Sequence, residues 1–237
     1  MNKLLITEIT RMGPAFCVIG LHREKERVHS VRPVTATANS WLCFPYQRGD
    51  VLECDLLPWQ GTKPHVEDRV STRGFQKDSA IAEAQIVAYL RKAELAGSLS
   101  ELFGCTVRTN KSGSGLYAYP SQAQRSVCGA CTRNLRLELC ASELRATLVL
   151  HSGEVLRDLP VVDRDWRDFV DAALAPARGA NRLARLDRFL NSRFHVKTLS
   201  CPYHFVRLGL TRPYHSLCWL MLDTLFPLPQ SGWLQEF

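Results

Sequence analysis

Residues 3–34 read KLLITEITRMGPAFCVIGLHREKERVHSVRPV. The stretch holds three apolar-rich runs of strand length, at 3–10, 16–21 and 28–34, separated by the turn Met12-Gly13-Pro14 and by a charged connector. A fourth run follows Gly49-Asp50. Short strands at this spacing are typical of a small barrel or sandwich and not of a helical bundle. Residues 1–75 are therefore predicted to form an N-terminal β domain.

A linking segment at 76–104 is predicted to carry a helix. Its sequence at 78–95, DSAIAEAQIVAYLRKAEL, is rich in Ala, Leu, Glu and Gln and contains neither Gly nor Pro. Asp78 or Ser79 can cap the helix at its start, and Gly97 is a natural stop.

The C-terminal segment, 105–237, returns to β-like patterns. Strands are predicted at 135–139, 145–150, 154–159, 194–199, 204–210 and 217–226, with a hairpin turn at 151–153. Two helices interrupt them, one at about 163–175 that Asp163 caps and one at about 180–191. The predicted fold class is α+β and rich in strands, with two β domains connected by helices.

The positive charge of the chain is concentrated in one segment. The formal net charge is +7, and residues 178–212 alone carry seven Arg and one Lys against a single acid, Asp187. One side of the predicted helix carries what we name the arginine stripe: Arg178, Arg182, Arg185 and Arg188. Acids that would pair with the stripe are nearly absent, which indicates a polyanionic partner. A solvated helix face is the alternative.

A second basic excess lies at 105–145, where six basic residues stand against two acids. It includes a loop, Lys111-Ser-Gly-Ser-Gly115, which we expect to be flexible, followed by Tyr117 and Tyr119. Aromatic residues two apart beside a basic loop fit base stacking, although a strand edge or core packing explains them equally well. The predicted nucleic-acid contacts are Arg178, Arg182, Arg185, Arg188, Arg193, Lys197, Arg212, Arg108, Lys111, Arg125, Tyr117 and Tyr119.

The nine cysteines are scattered, and we expect them to be reduced thiols. Cys128 and Cys131 form a CxxC pair that, with Cys201 and His204, has the ligand count of a zinc site. The pair lies close to a predicted strand, however, and the two ligand couples share no compact loop. Structural thiols are therefore favoured over zinc, and no metal or cofactor is predicted.

An acidic cluster raises the hypothesis of a metal-dependent nuclease. Its members are Asp158, Asp163, Asp165, Asp168 and Asp171. Carboxylates at the start of a helix also accept hydrogen bonds from its free N–H groups and interact favourably with the helix dipole. Carboxylates further along the helix can lie on its solvent-exposed face. No nucleotide-binding or hydrolase motif is present to support catalysis. The structural interpretation is favoured.

Several segments together resemble a known family. In chain order they are LLITEITR (4–11), FCVIGL (16–21), VHSVRPV (28–34), HVEDRV (65–70), RSVCGACTRNLRLEL (125–139), LPVVDRDW (159–166) and VRLGLTRPYHSLCWLMLD (206–223). This order resembles bacterial dual-OB-domain proteins. The resemblance implies two small OB-like barrels in one chain and a link to nucleic-acid sensing in prokaryotic conflict systems. It implies no catalytic residue, and the additional cysteines depart from the pattern.

The sequence thus favours a non-enzymatic nucleic-acid-binding module that belongs to a larger complex. The alternatives are an adaptor that docks an acidic protein and, more weakly, the nuclease. There is no apolar run long enough to span a membrane, and the N-terminal apolar run is too short for a secretory signal. We therefore expect a cytoplasmic protein.

Overall fold

A computed structural model describes residues 2–35, 40–58, 63–140, 143–174, 201 and 203–228. The predicted helix at 180–191, with its arginine stripe, and the predicted strand at 194–199 lie outside the described residues. The described part is rich in strands, which form two sheets.

Sheet 1 contains the N-terminal strands. They are β1 (Asn2–Met12), β2 (Ala15–Glu24), β3 (Arg27–Val34), β4 (Asp50–Cys54), β5 (Leu56–Pro58), β6 (Asp68–Ser71) and β7 (Gln76–Ala80). Their spatial order is β5-β6-β3-β2-β1-β4-β7, antiparallel throughout except between β3 and β6. The predicted strands at 3–10, 16–21 and 28–34 are confirmed.

Strand β1 is buried on both faces. Leu4 and Ile6 point into the core of sheet 1. A β-bulge between Ile6 and Glu8 shifts the side-chain alternation, and Glu8 then contacts the second sheet. Strand β1 therefore packs against the core of sheet 1 through Leu4 and Ile6, and against sheet 2 through Glu8.

The linking helix begins later than predicted. Helix α1 spans Glu83–Glu94, whereas the predicted helix starts at Asp78. The preceding residues form β7 because the exposed edge of β4 takes them as a partner, with Asp50 opposite Ala80 and Lys77 paired to Asp50 at 2.6 Å. Edge pairing here overrides the helical propensity of the sequence.

Sheet 2 contains the remaining described strands. They are β8 (Leu95–Ala96), β9 (Arg108–Thr109), β10 (Leu116–Ala118), β11 (Val127–Cys140), β12 (Glu143–Leu150), β13 (Val155–Pro160), β14 (Tyr203–Leu210) and β15 (Cys218–Leu228). The order is β13-β12-β11-β14-β15-β10-β9, and β8 lies parallel to β11. The predicted turn at 151–153 joins β12 to β13, with Gly153 at φ +92°. Short helix α2 (Leu99–Leu102) follows β8.

Helix α3 (Arg164–Leu174) covers sheet 2 and inserts Trp166 into its core. Asp163 caps it as predicted, because its Oδ1 accepts the backbone N–H groups of Asp165 (2.9 Å) and Trp166 (3.2 Å).

The two sheets pack together through an apolar cluster and a charged one. Helix α1 places Ile86, Val87 and Leu90 against Leu21 of sheet 1 and Phe205 of sheet 2. A backbone hydrogen bond from the Arg11 N–H to the Val162 carbonyl (2.8 Å) also crosses between the sheets. No helix in the described part of the chain combines the length and hydropathy needed to cross a membrane.

Candidate functional site

Four side chains at one end of sheet 2 form a group that we name the aromatic surface: Arg108, Tyr117, Tyr119 and Trp219. The Arg108 guanidinium lies 5.7 Å from the centre of the Tyr119 ring. Tyr117 meets Tyr119 edge-on at 5.8 Å and Trp219 at 5.7 Å. Tyr119 is 38% exposed, and Arg108 is exposed. The structure thus brings together three of the predicted contact residues with one tryptophan that the prediction omitted.

Strand pairing positions these residues. Tyr117 stands opposite Arg108 on one side and opposite Trp219 on the other. Gly115 lies beneath the indole of Trp219, where an added Cβ would come within 2.9 Å of the ring. Only glycine allows this close approach.

The loop that carries Lys111 is an ordered turn, although its sequence predicts a flexible one. The Asn110 side chain accepts the N–H groups of Ser114 (2.9 Å) and Gly115 (3.2 Å), and Gly113 has φ +74°. Lys111 is exposed on this turn, between β9 and β10. The turn therefore places Lys111 between the two strands that carry Arg108 and Tyr117.

Two other predicted contact residues hold structural partners. Arg125 donates to the backbone carbonyls of Leu102 (2.9 Å) and Glu101 (2.7 Å). Arg212 pairs with Asp68 of sheet 1 at 2.5 Å. The remaining predicted contacts lie outside the described residues: Arg178, Arg182, Arg185, Arg188, Arg193 and Lys197.

An open cleft of about 1310 Å³ is lined by more cations than acids. We name it the cationic cleft; its basic residues are Lys25, Arg27, Arg69, Lys92 and Arg125, and its acids are Glu24, Glu26 and Glu67. Sequence analysis missed all of these basic residues except Arg125 because they come from distant segments. The sequence did signal two of them: Lys25 and Arg27 belong to the run of charged residues at 22–27, which we interpreted as a connector between two strands.

Ion pairs are buried where the two sheets meet. Arg207 donates to Glu8 through Nη2 (3.1 Å) and Nε (3.2 Å), and both side chains are 0% exposed. Arg207 also donates to Ser30 at 2.7 Å. Nearby, Arg32 pairs with Asp68 at 3.0 Å, and both are buried. None of these partners is adjacent in sequence, so they escaped prediction.

Histidine 65 belongs to this buried network. The Arg32 guanidinium can only donate, so its Nη1 donates to Nδ1 of His65 (2.9 Å), and the ring proton is on Nε2. Burial, together with the charges of Arg32 and Arg212, lowers the pKa of His65 to about 2. The ring is therefore neutral at physiological pH.

Asp223 lies beside the same network. Burial raises the pKa of its carboxyl well above its usual range, and the neighbouring Glu8 carboxylate adds to this, while Arg32 and Arg207 act against it. The carboxyl is therefore biased towards its protonated form.

The residues considered for zinc do not converge. Cys128 packs into the core of sheet 2, whereas Cys131, three positions along the same strand, packs on the opposite face beside α1. His204 stands opposite Thr132 and points away from the face of Cys131. The described residues contain no group of three or more His, Cys, Asp or Glu that could hold a metal ion. All nine cysteines are described, and none forms a disulfide.

The acidic cluster is also dispersed. Asp163 is buried, accepts hydrogen bonds from Thr224 and Arg48, and has a pKa raised by burial. Asp168 and Asp171 lie on the exposed face of α3 and pair with Arg11 at 3.0 and 2.6 Å. These contacts agree with the interpretation of Asp163 as a helix cap and of Asp168 and Asp171 as residues of the solvent-exposed helix face.

The chain matches no protein-family model and no curated protein sequence. Among solved structures it is similar to a murine DNA-binding protein bound to double-stranded DNA, with a TM-score of 0.33 and 7% identity. The similarity covers 94% of this chain and 95% of that chain. A TM-score of 0.33 carries no functional argument.

Proposed function

We propose that this protein binds nucleic acid, with unpaired bases stacking on the aromatic surface and phosphates held by the cations around it. The observation that carries this proposal is the exposed stack of Arg108 on Tyr119, beside Tyr117 and Trp219. A cation over an aromatic ring at a strand edge offers a π face and a phosphate partner together.

Other exposed cations of the chain are available to the phosphates of a bound nucleic-acid strand. Lys111 is exposed on the adjoining turn. The cationic cleft supplies further positive charge, and its Lys25, Arg27 and Lys92 make no ion pair with any described residue. Cations without carboxylate partners are available to phosphates.

We also propose that the two sheets are two OB-like barrels. Each sheet is an open path of mostly antiparallel strands, which agrees with two diverged OB-like barrels, a common platform for single strands. The resemblance to dual-OB-domain proteins adds the proposal that the chain acts within a prokaryotic defence or mobile-element complex. We assign no catalytic step to the chain, because Asp163 caps helix α3 and Asp168 and Asp171 pair with Arg11.

The test is binding of short labelled DNA and RNA, single- and double-stranded, to the wild type and to Tyr119→Ala. Loss of one stacked base should raise the Kd for single strands by roughly 5- to 150-fold, about 1–3 kcal/mol. Arg108→Gln should reduce the slope of log K against log salt on single strands by about 0.7 for each phosphate that the variant no longer neutralises.

The matched control is Tyr89→Ala, which removes another exposed tyrosine, from helix α1. Its affinity should equal that of the wild type. Equal affinity of Tyr119→Ala and Tyr89→Ala would remove the aromatic surface from the binding site. Absence of any nucleic-acid binding would favour the adaptor that docks an acidic protein.

A further inference from the structure

A cavity of about 180 Å³ lies between the two sheets. We name it the inter-sheet cavity. It is smaller than the pockets of roughly 300–1,000 Å³ that hold drug-sized ligands, and larger than the roughly 30 Å³ of one water. Its walls combine apolar side chains with polar ones: Met12, Ile19, Met221, Arg32, His65 and Asp223. A ligand of one or two rings matches this size.

The Asp223 carboxyl is built into the cavity wall. It is 3% exposed, and its Oδ1 has no hydrogen-bond partner among the described residues. A Cβ at position 209 would overlap Oδ2 of Asp223, so Gly209 makes room for the carboxyl. A buried polar atom without a partner is costly, and a ligand can supply the missing hydrogen bond.

A donor faces the same space. Arg32 lines the cavity, and its Nε is buried without a hydrogen-bond partner in the described part of the chain. The His65 ring also lines the cavity, but its protonated Nε2 lies within reach of the Thr211 backbone. The cavity therefore offers a carboxyl group and an N–H donor to one occupant.

Charge limits what the occupant can be. Arg32 and Arg212 oppose a cation, while the Asp68 carboxylate, which pairs with both of them, opposes an anion. A neutral, flat molecule with a polar edge meets neither penalty, and its faces can rest on the apolar side chains.

The cavity adjoins the aromatic surface. Thr211 lines the cavity, and its Oγ1 accepts the backbone N–H of Trp219 at 2.9 Å. The Thr211 N–H in turn donates to the Trp219 carbonyl at 2.9 Å. Met12, another lining residue, is 40% exposed. The cavity and the aromatic surface therefore share a pair of hydrogen-bonded neighbours, Thr211 and Trp219.

We propose that the inter-sheet cavity binds a single nucleobase with its polar edge on Asp223 and its faces on Met12, Ile19 and Met221. This inference rests on the proposed function for a base that belongs to a bound strand. A free nucleoside carries the same chemistry, and the experiment separates the two sources.

The protonation bias of Asp223 favours particular bases. A neutral carboxyl both donates and accepts, and it donates most strongly to a basic ring nitrogen beside an amino group. Adenine and cytosine carry that edge, whereas thymine and uracil do not. We expect oligo-dA or oligo-dC to bind about tenfold tighter than oligo-dT, since one good edge contact is worth about that discrimination.

The experiment measures the affinity of oligo-dA, oligo-dC and oligo-dT for the wild type and for two variants. Asp223→Ala removes the carboxyl, and Met12→Trp fills the cavity from its exposed rim. Both variants should bind the three strands alike and retain the wild-type salt slope. The matched control, Asp171→Ala, removes a carboxylate from the exposed face of α3 and should retain the preference. A second arm measures thermal stabilisation by adenosine and cytidine.

Each outcome has a defined meaning. A preference among strands that both variants lose supports the cavity as a base site. Strand binding without such a preference, in wild type and variants alike, overturns the cavity inference and leaves the proposed function standing. Stabilisation by nucleosides that Asp223→Ala abolishes, without any strand binding, supports the cavity and overturns the proposed function. Failure of both arms overturns both.

Discussion

Replacing Glu8 by Gln should destabilise the protein by about 3–5 kcal/mol, the usual loss when one partner of a buried ion pair is removed. Glu8 and Arg207 are both 0% exposed and are joined by hydrogen bonds of 3.1 to 3.4 Å across the two sheets. Gln keeps the shape of the side chain but removes its charge. The buried Arg207 guanidinium then loses its ion pair with Glu8.

Urea unfolding at neutral pH measures the loss directly, and thermal unfolding should show a fall in Tm of about 6–20 °C, at about 2–4 °C per kcal/mol for a chain of this size. A double variant, Glu8→Met with Arg207→Met, should recover much of the loss because apolar replacements relieve the desolvation of both charges. The control is Asp168→Asn, which breaks an exposed pair with Arg11 and should cost about 1 kcal/mol or less. If Glu8→Gln costs no more than this control, the buried pair does not stabilise the packing between the sheets.

Four further outcomes follow from burial and charge. The pKa of His65 is lowered to about 2, so the stability that neutral His65 contributes is complete above pH 6.5 and is lost as pH falls from 6.5 towards 2. The variant His65→Asn should therefore show a smaller fall in the urea midpoint over that pH range. Burial raises the pKa of Cys218 to about 11, so its contribution is complete below pH 9 and is lost as pH rises from 9 to 11; Cys218→Ala should flatten that loss. Mass spectrometry after iodoacetamide treatment at pH 8 should find exposed Cys43 alkylated and Cys218 protected until urea is added. Replacing the four residues of the arginine stripe by Gln should leave the urea midpoint unchanged and reduce the salt slope on duplex DNA by up to about 0.9 for each phosphate that is no longer neutralised; an unchanged slope would exclude the stripe from the binding surface.

Local sequence patterns predicted several of the strands and the helix cap at Asp163. Alternation and turn residues located the β1–β2 and β12–β13 hairpins, because those signals depend on neighbours a few positions apart. Asp163 was identified as a helix cap for the same reason. The start of α1 was misplaced because the free edge of β4, which recruits β7, has no local signature.

The aromatic surface could be predicted only in part. Tyr117 and Tyr119 are two apart in the sequence, and Arg108 precedes them closely, so the pattern was visible in sequence. Trp219 joins them through a strand pairing about a hundred positions away along the chain, which local patterns do not indicate. The cationic cleft was missed for the same reason, because its five basic residues come from four separate segments.

The sequence by itself determined the high content of β-strand, the principal turns and the excess of positive charge. These features depend on residue types and on patterns among residues a few positions apart. Only the tertiary structure decided which charges are buried. Glu8 looks like any polar strand residue until Arg207, 199 positions away, meets it between the sheets. Asp223 likewise becomes a buried carboxyl lining a cavity only because Gly209 leaves it room and the two sheets close over it. Desolvation and pairing are properties of the assembled interior, and they arise from contacts between segments that are remote in the chain.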